Sequence, residues 1–189
     1  MTNLAVFASG SGTNFQKMIE AIETGDLDAK IVLLVSDRKD AFAIQRAQQA
    51  DIPVFAFSPK DYANKQAFEE AILQELNSRN VEWIVLAGYM RLIGKTLLEA
   101  YPQRILNIHP SLLPAFPGLD AIGQAFAAGV KIAGITIHYV DAGMDTGSII
   151  AQEAVRVETH DTRESLEAKI HQMEHQLYPK TLQQIIKGR

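Results

Sequence analysis

Three polar residues, Asn107, His109 and Asp145, form a set that can move an acyl group between two bound molecules. Asn107 and His109 lie two apart in Asn107-Ile108-His109-Pro110-Ser111-Leu112-Leu113-Pro114. On an extended strand that spacing points both side chains to one face. An amide donor beside an imidazole suits stabilisation of a developing oxyanion. Read alone, the Asn-x-His spacing is better explained by a turn with a satisfied histidine. Asp145 stands in the stretch Asp141 to Gly147, with small or apolar neighbours Met144 and Gly147, which predicts partial burial. A buried carboxylate near an imidazole raises the histidine's pKa and fixes its orientation. A hairpin loop rich in turn formers accounts for Gly143 and Gly147, and less well for Asp145.

Two further segments mix residue types suited to ligands. Ser9-Gly10-Ser11-Gly12-Thr13-Asn14 falls between an apolar run and a helical pattern. Its glycines allow close backbone approach to an anion, and helix-start amides with the Ser11 and Thr13 hydroxyls could bind a phosphate. A tight strand-to-helix turn capped by Thr13 or Asn14 is the plainer alternative. The spacing is neither a P-loop nor the full dinucleotide fingerprint. Gly88-Tyr89-Met90-Arg91-Leu92-Ile93 could line an apolar pocket for a flat ring, or be a core edge with Arg91 in solvent. His138, on a strand, reads as a packed core histidine, with support of the reacting groups as the alternative, and His160 reads as a loop residue. His171 and His175 are four apart on a helical pattern, a metal-compatible spacing without a third ligand, and read as helix surface contributing to a pocket wall. Glu174, between them, either faces the phosphate loop or is a solvated acid.

The elements that must position these groups follow from periodicity. Leu4 to Ala8, Ile31 to Val35, Val54 to Phe57, Trp83 to Leu86 and Ile105 to Ile108 read as strands, the aliphatic runs as buried ones. Asn14 to Glu23, Ala41 to Ala50, Lys65 to Arg79 and Gly94 to Tyr101 read as helices between them. Such a βα repeat predicts an α/β fold, a mostly parallel sheet with helices on both faces. Ligands then bind beyond the carboxyl ends of the strands, where Ser9 to Asn14, Ala87 to Ile93 and Asn107 to Pro110 all fall. Gly118 to Ala128 reads as a short helix, and Ile132 to Val140 with Ile149 to Val157 as an antiparallel strand pair. Asp161 with Glu164 predicts a helix start capped by Asp161. The last helix runs from about Thr162 towards Lys187, with Pro179 expected to kink or divide it.

Composition is that of an ordinary globular protein. The 189 residues are 47% apolar and 21% charged. A chain of this size buries roughly 70% of its unfolded surface, enough for one core, and a single domain over 1–189 is expected. A net charge of −4 argues against a nucleic-acid partner. No apolar run is long enough for a membrane span, and the N-terminus lacks a signal peptide's basic region. Cysteine is absent, which excludes thiol chemistry. A cytoplasmic location, and a monomer or weak homodimer, are the expectations.

Together these segments resemble the phosphoribosylglycinamide formyltransferases, the glycinamide ribonucleotide transformylases of purine synthesis, in the same order over nearly the whole chain. Ser9 to Asn14 resembles the family's phosphate loop, Ala87 to Ile93 its folate segment, and Asn107 to Pro114 its most specific motif. Gly134 to Gly147 resembles the signature of the wider formyltransferase superfamily. The resemblance implies a nucleotide-binding-like N-terminal half, with the antiparallel strand pair near the C-terminal end, and catalytic roles for Asn107, His109 and Asp145. It implies that Gly12, Thr13 and Asn14 hold the phosphate of glycinamide ribonucleotide, with His171, Gln172, Met173 and Glu174 at its other end. It places 10-formyltetrahydrofolate, the co-substrate, against Lys65, Met90, Arg91, Leu92, Ile93 and Asn107, and against Asp141, Ala142, Gly143, Met144 and Asp145. No metal is implied. Lys65 stands where the family's arginine is expected, Ala142 where an acid is frequent, and Asp120 where some members have histidine.

The expected reaction is direct formyl transfer through a tetrahedral intermediate. The competing readings are a formyltetrahydrofolate hydrolase and another folate-dependent formyltransferase, acting on methionyl-tRNA or a sugar nucleotide. Such relatives usually carry an additional domain, which is not expected here. A non-catalytic nucleotide- or folate-binding protein is a third, and would tolerate loss of Asp145.

Overall fold

Strand and helix alternate from the N-terminus in the computed structural model, which describes residues 1–188. The strands are β1 (Thr2–Phe7), β2 (Ala29–Ser36), β3 (Val54–Ala56), β4 (Trp83–Leu86), β5 (Ile105–His109), β6 (Ile132–Tyr139) and β7 (Ile149–Arg156). The helices are α1 (Thr13–Glu23), α2 (Phe42–Gln49), α3 (Lys65–Ser78), α4 (Lys95–Ala100), α5 (Ala121–Ala127) and α6 (Arg163–Lys187). The expected domain over 1–189 includes Arg189, which lies outside the described residues.

One seven-stranded sheet runs in the order β3-β2-β1-β4-β5-β6-β7. Its first five strands are parallel, as the βα repeat predicts. The chain reverses at β6, which pairs antiparallel with both β5 and β7. The expected hairpin is therefore present, and it is also joined to the parallel part of the sheet. Alternation along β1 explains the burial on both faces. Leu4, Val6 and Ala8 pack on one side with Phe15 and Met18 of α1 and Leu166 and Ile170 of α6. Ala5 and Phe7 pack on the other with Phe68 and Ile72 of α3 and Leu97 of α4. Apolar burial on both faces makes such strands read as continuous aliphatic runs.

Three local expectations are corrected. Pro179 neither ends nor divides α6, which is one helix of 25 residues. Proline forfeits one amide hydrogen bond, but Pro179 and its neighbour Tyr178 are buried, and packing holds the helix through that point. Thr162, not Asp161, caps α6. Its side chain accepts from the Ser165 amide, and the Ser165 hydroxyl answers at the Thr162 amide. Asp161 instead accepts from Lys169 Nζ (2.6 Å) and the Ser165 hydroxyl. Neither Thr13 nor Asn14 caps α1. Its N-cap is Gly12, in the left-handed region (φ 68°), with no side-chain cap. Its first-turn amides are left without a capping side chain, at the carboxyl end of β1.

Because β2 and β3 extend from one side of β1 while β4 lies on the other, the chain switches direction between β1 and β4. Such a switch leaves a crevice at the strands' carboxyl ends. The loops after β1, β4 and β5 all open there.

Candidate active site

The crevice is a cleft of about 640 Å³ whose walls include Gly12, Asn14, Met90, Asn107, His109 and Asp145. Asn107 and His109 come from the end of β5. The register of the β5–β6 pair sets Asn107 directly opposite His138. The Asn107 amide nitrogen lies 3.2 Å from His138 Nε2, and His138 Nδ1 donates to the Tyr139 carbonyl at 2.8 Å. With Nδ1 committed, a neutral His138 accepts from the Asn107 amide. A protonated one can turn its second N–H towards Asp145, whose Oδ1 is 3.6 Å away.

His109 is held from the opposite side. Its Nε2 donates to the Phe116 carbonyl at 2.8 Å, and its Nδ1 faces Asp145 Oδ2 at 3.4 Å. With Nε2 committed to that carbonyl, Nδ1 is the ring atom left to face the carboxylate. Asp145 also accepts from the Gly118 amide at 2.8 Å. Its side chain is 12% exposed, as its apolar neighbours predict. Burial pushes the Asp145 carboxyl up. Hydrogen bonds from His138 and Gly118, with the charge of the two imidazoles, outweigh burial and hold it below the usual carboxylate range.

Local backbone chemistry aims Asp145 inward. It sits in the left-handed region (φ 55°), which aspartate tolerates better than most residues. Asp141 shapes the loop ahead of it, accepting from the Gly143 amide (3.0 Å) and the Thr146 hydroxyl (2.6 Å). A Cβ on Gly147 would lie 1.7 Å from the Tyr139 carbonyl oxygen, so only glycine lets the loop close on the end of β6.

Glu174 faces the Ser9 to Asn14 loop and is not a solvated acid. It is 4% exposed and accepts from Asn14 (3.1 Å) and from His171 Nδ1 (2.9 Å). That bond is the main cause of the raised pKa of His171. The loop itself is held from α2, where Arg46 Nε donates to the Ser11 carbonyl at 2.8 Å. The other end of the cleft is apolar. Met90, Leu92 and Met144 expose large side chains there, and Ile93 packs beneath.

Most of the residues singled out in the sequence therefore meet in one cleft. Four do not line it. Lys65 lies 3.9 Å from Glu69, whose carboxylate accepts from the Gly94 amide. Ala142 and Gln172 are exposed, and Met173 packs on the core. Arg163 and Glu167, on the α6 wall, were not anticipated. For His138 the structure favours the supporting role over the packed core residue. It is buried, but its imidazole faces Asn107 and Asp145. Only the β5–β6 pairing places it there, and no local signal in the sequence reports that pairing.

The chain resembles proteins of one family over nearly its whole length. The family profile described as formyl transferase matches residues 2–182. The chain is 57% identical to phosphoribosylglycinamide formyltransferase of Bacillus subtilis (strain 168), over 98% of this chain and 95% of that one. It is 39% identical to the trifunctional purine biosynthetic protein adenosine-3 of Drosophila melanogaster, over 98% of this chain and 14% of that much longer one. The crystal structure of glycinamide ribonucleotide transformylase 1 from Geobacillus kaustophilus superposes with a TM-score of 0.96 at 59% identity, covering 98% of both chains.

Proposed function

The chain belongs to the formyl transferase family, and from that premise we propose that it transfers the formyl group of 10-formyltetrahydrofolate to the amine of glycinamide ribonucleotide, in purine biosynthesis. The observation that carries this reading is the convergence of Asn107, His109 and Asp145 in the cleft that Gly12 to Asn14 also line. Residues 1–189 act as a single formyltransferase domain in the cytoplasm, on small molecules, as a monomer or weak homodimer.

The open amides of α1 at Gly12 to Asn14 suit the ribonucleotide's phosphate. Glu174 stands where it can accept hydrogen bonds from sugar hydroxyls. The exposed side chains of Met90, Leu92 and Met144 suit a flat pterin, with polar atoms of the 141–145 loop at its edge. This leaves Asn107 and His109 beside the formyl carbon.

The substrate amine attacks that carbon, a C–N bond forms, and the carbonyl electron pair moves to oxygen. An amide N–H of Asn107 and the Nδ1–H of the His109 imidazolium, shared between Asp145 and the substrate oxygen, stabilise the oxyanion. Asp145 holds the imidazolium charge and, through water, relays a proton from the attacking nitrogen to the folate nitrogen. Collapse of the intermediate then breaks the bond to that nitrogen. No protein nucleophile takes part, and holding both substrates in attack geometry supplies much of the rate.

The test is a two-substrate assay following loss of 10-formyltetrahydrofolate with and without glycinamide ribonucleotide. Consumption should require the ribonucleotide and give its formyl derivative. Formate release at the same rate without ribonucleotide would make the chain a hydrolase and overturn the proposal.

A further inference from the structure

Asp37 is a buried carboxylate that the chemistry above does not use. It follows β2 in Ser36-Asp37-Arg38-Lys39-Asp40, which reads as a charged turn. Its neighbours Arg38 and Asp40 pair with each other in solvent. Asp37 instead turns inward and is 8% exposed.

Its two oxygens close a ring between the two substrate segments. Oδ1 accepts from the Ser9 hydroxyl at 2.5 Å, and Oδ2 accepts from Arg91 Nε at 2.7 Å. The Ser9 oxygen in turn accepts from the Met90 amide at 2.9 Å. A fourth bond, from the Ser9 amide to the Gly88 carbonyl (3.0 Å), runs alongside. Ser9 opens the phosphate loop, and Met90 and Arg91 begin the apolar wall of the folate end. One carboxylate therefore ties the ends of β1 and β2 to the loop after β4, across the switch point of the sheet.

The chemistry of the ring requires an ionised acid. Both carboxylate oxygens act only as acceptors, which matches one hydroxyl donor and one guanidinium donor. An amide at the same place would offer only one acceptor. Its NH2 would meet either the guanidinium or the Ser9 hydroxyl oxygen, and in the second case the Ser9 proton would lose its acceptor. Tyr89 lies in the same segment, its ring edge-on to Phe7 at 5.3 Å. The segment is thus held by packing on one side and by Asp37 on the other.

We infer that Asp37 is a positioning residue, whose carboxylate fixes the Met90–Arg91 segment in the shape that receives the folate co-substrate. The inference rests on the proposed function. It predicts an effect on folate binding larger than that on the chemical step, because Asp37 touches neither reacting group.

The experiment is steady-state kinetics of Asp37→Asn, Asp37→Ala, Arg91→Ala and the Asp37→Ala/Arg91→Ala double variant, with thermal unfolding of each. For Asp37→Asn the KM for 10-formyltetrahydrofolate should rise about tenfold, the scale of one lost charge-assisted hydrogen bond. Its kcat and its KM for glycinamide ribonucleotide should change much less. The double variant should be little worse than the poorer single one, since the two residues act through one contact. An unaltered folate KM in a folded, active Asp37→Asn protein overturns the inference, even if its melting temperature falls. Multiplying effects in the double variant overturn it as well. If the unmodified chain transfers no formyl group, the reading of the cleft falls and this inference falls with it.

Discussion

At the scale of the residue, Asp145 is the centre of the cleft. It contacts a backbone amide and two imidazoles, and each contact favours its ionised form. Its folded pKa is depressed, so its stabilising contribution is complete above the ordinary aspartate value, about 3.9. That contribution fades as pH falls through the lower folded value. Asp145 is therefore ionised throughout the neutral range, as a partner of imidazolium must be. Replacing His138 by phenylalanine removes a donor while keeping the site dry. The Asp145 carboxyl should then titrate at higher pH by NMR, and Asn107 should lose the partner that orients its amide. An unmoved titration would separate His138 from the site. Removing a single oxyanion donor typically costs about 10²–10³ in turnover. Asn107→Ala and His109→Ala should each show losses of that order in the two-substrate assay, and Asp145→Ala a comparable one. His171 shifts the opposite way. Its bond to Glu174 raises its pKa, so its stabilising effect is full below the ordinary histidine value, about 6.5, and is lost as pH rises through the folded value. In Glu174→Gln the His171 titration should move down.

At the scale of the element, the loop between β6 and β7 shows how backbone limits become chemical geometry. Gly147 passes so close to the Tyr139 carbonyl that any side chain forces the loop away. Asp145, two residues earlier, would move with it. A misplacement of about 1 Å can cost on the order of 10² in rate, so Gly147→Ala should lose turnover on that scale. Circular dichroism and the melting temperature should change far less, because the loop is peripheral to both cores. The same element marks the limit of what the sequence discloses. Parallel strands β1, β2 and β4 are legible because burial on both faces leaves aliphatic runs, and helix α3 because Phe68, Ile72 and Leu76 recur on one face. The Asn107/His109 pair is legible because period two is a local property of a strand. The position of His138 is not, because it depends on which strand β6 joins, a contact between residues 31 apart. Asp37 is hidden for a similar reason: its partners Ser9 and Arg91 come from two other strand ends. The unbroken path of α6 through Pro179 depends on tertiary packing, which outweighs the local cost of proline.

At the scale of the whole molecule, α6 is the brace that keeps the two halves of the cleft in register. Near its start it meets α5 through the Arg163–Asp120 pair (2.6 Å), and further along it presents Glu174 to the Ser9 to Asn14 loop. One turn beyond Glu174, Tyr178 is fully buried. Its hydroxyl lies 2.9 Å from the Leu86 carbonyl and 3.2 Å from the Leu106 carbonyl, and its single proton is shared between them. Those carbonyls belong to the last residue of β4 and to the residue before Asn107, in adjacent parallel strands. The helix that faces the Ser9 to Asn14 loop is thus fastened to the strand ends that carry Gly88 to Ile93 and Asn107. Tyr178→Phe keeps the ring and its packing but removes the shared donor. Depriving buried carbonyls of a partner costs roughly 1–3 kcal/mol. For a chain of this length each kcal/mol lowers the melting temperature by about 2–4 °C. Calorimetry should therefore show a fall of several degrees. The kinetic consequence should follow the brace: KM for glycinamide ribonucleotide should rise and kcat should fall together, since α6 positions Glu174 and the end of β5 at once. A variant that loses stability while both kinetic parameters stay at the wild-type level would show that the brace serves the fold alone, and that the strand ends hold the site without it.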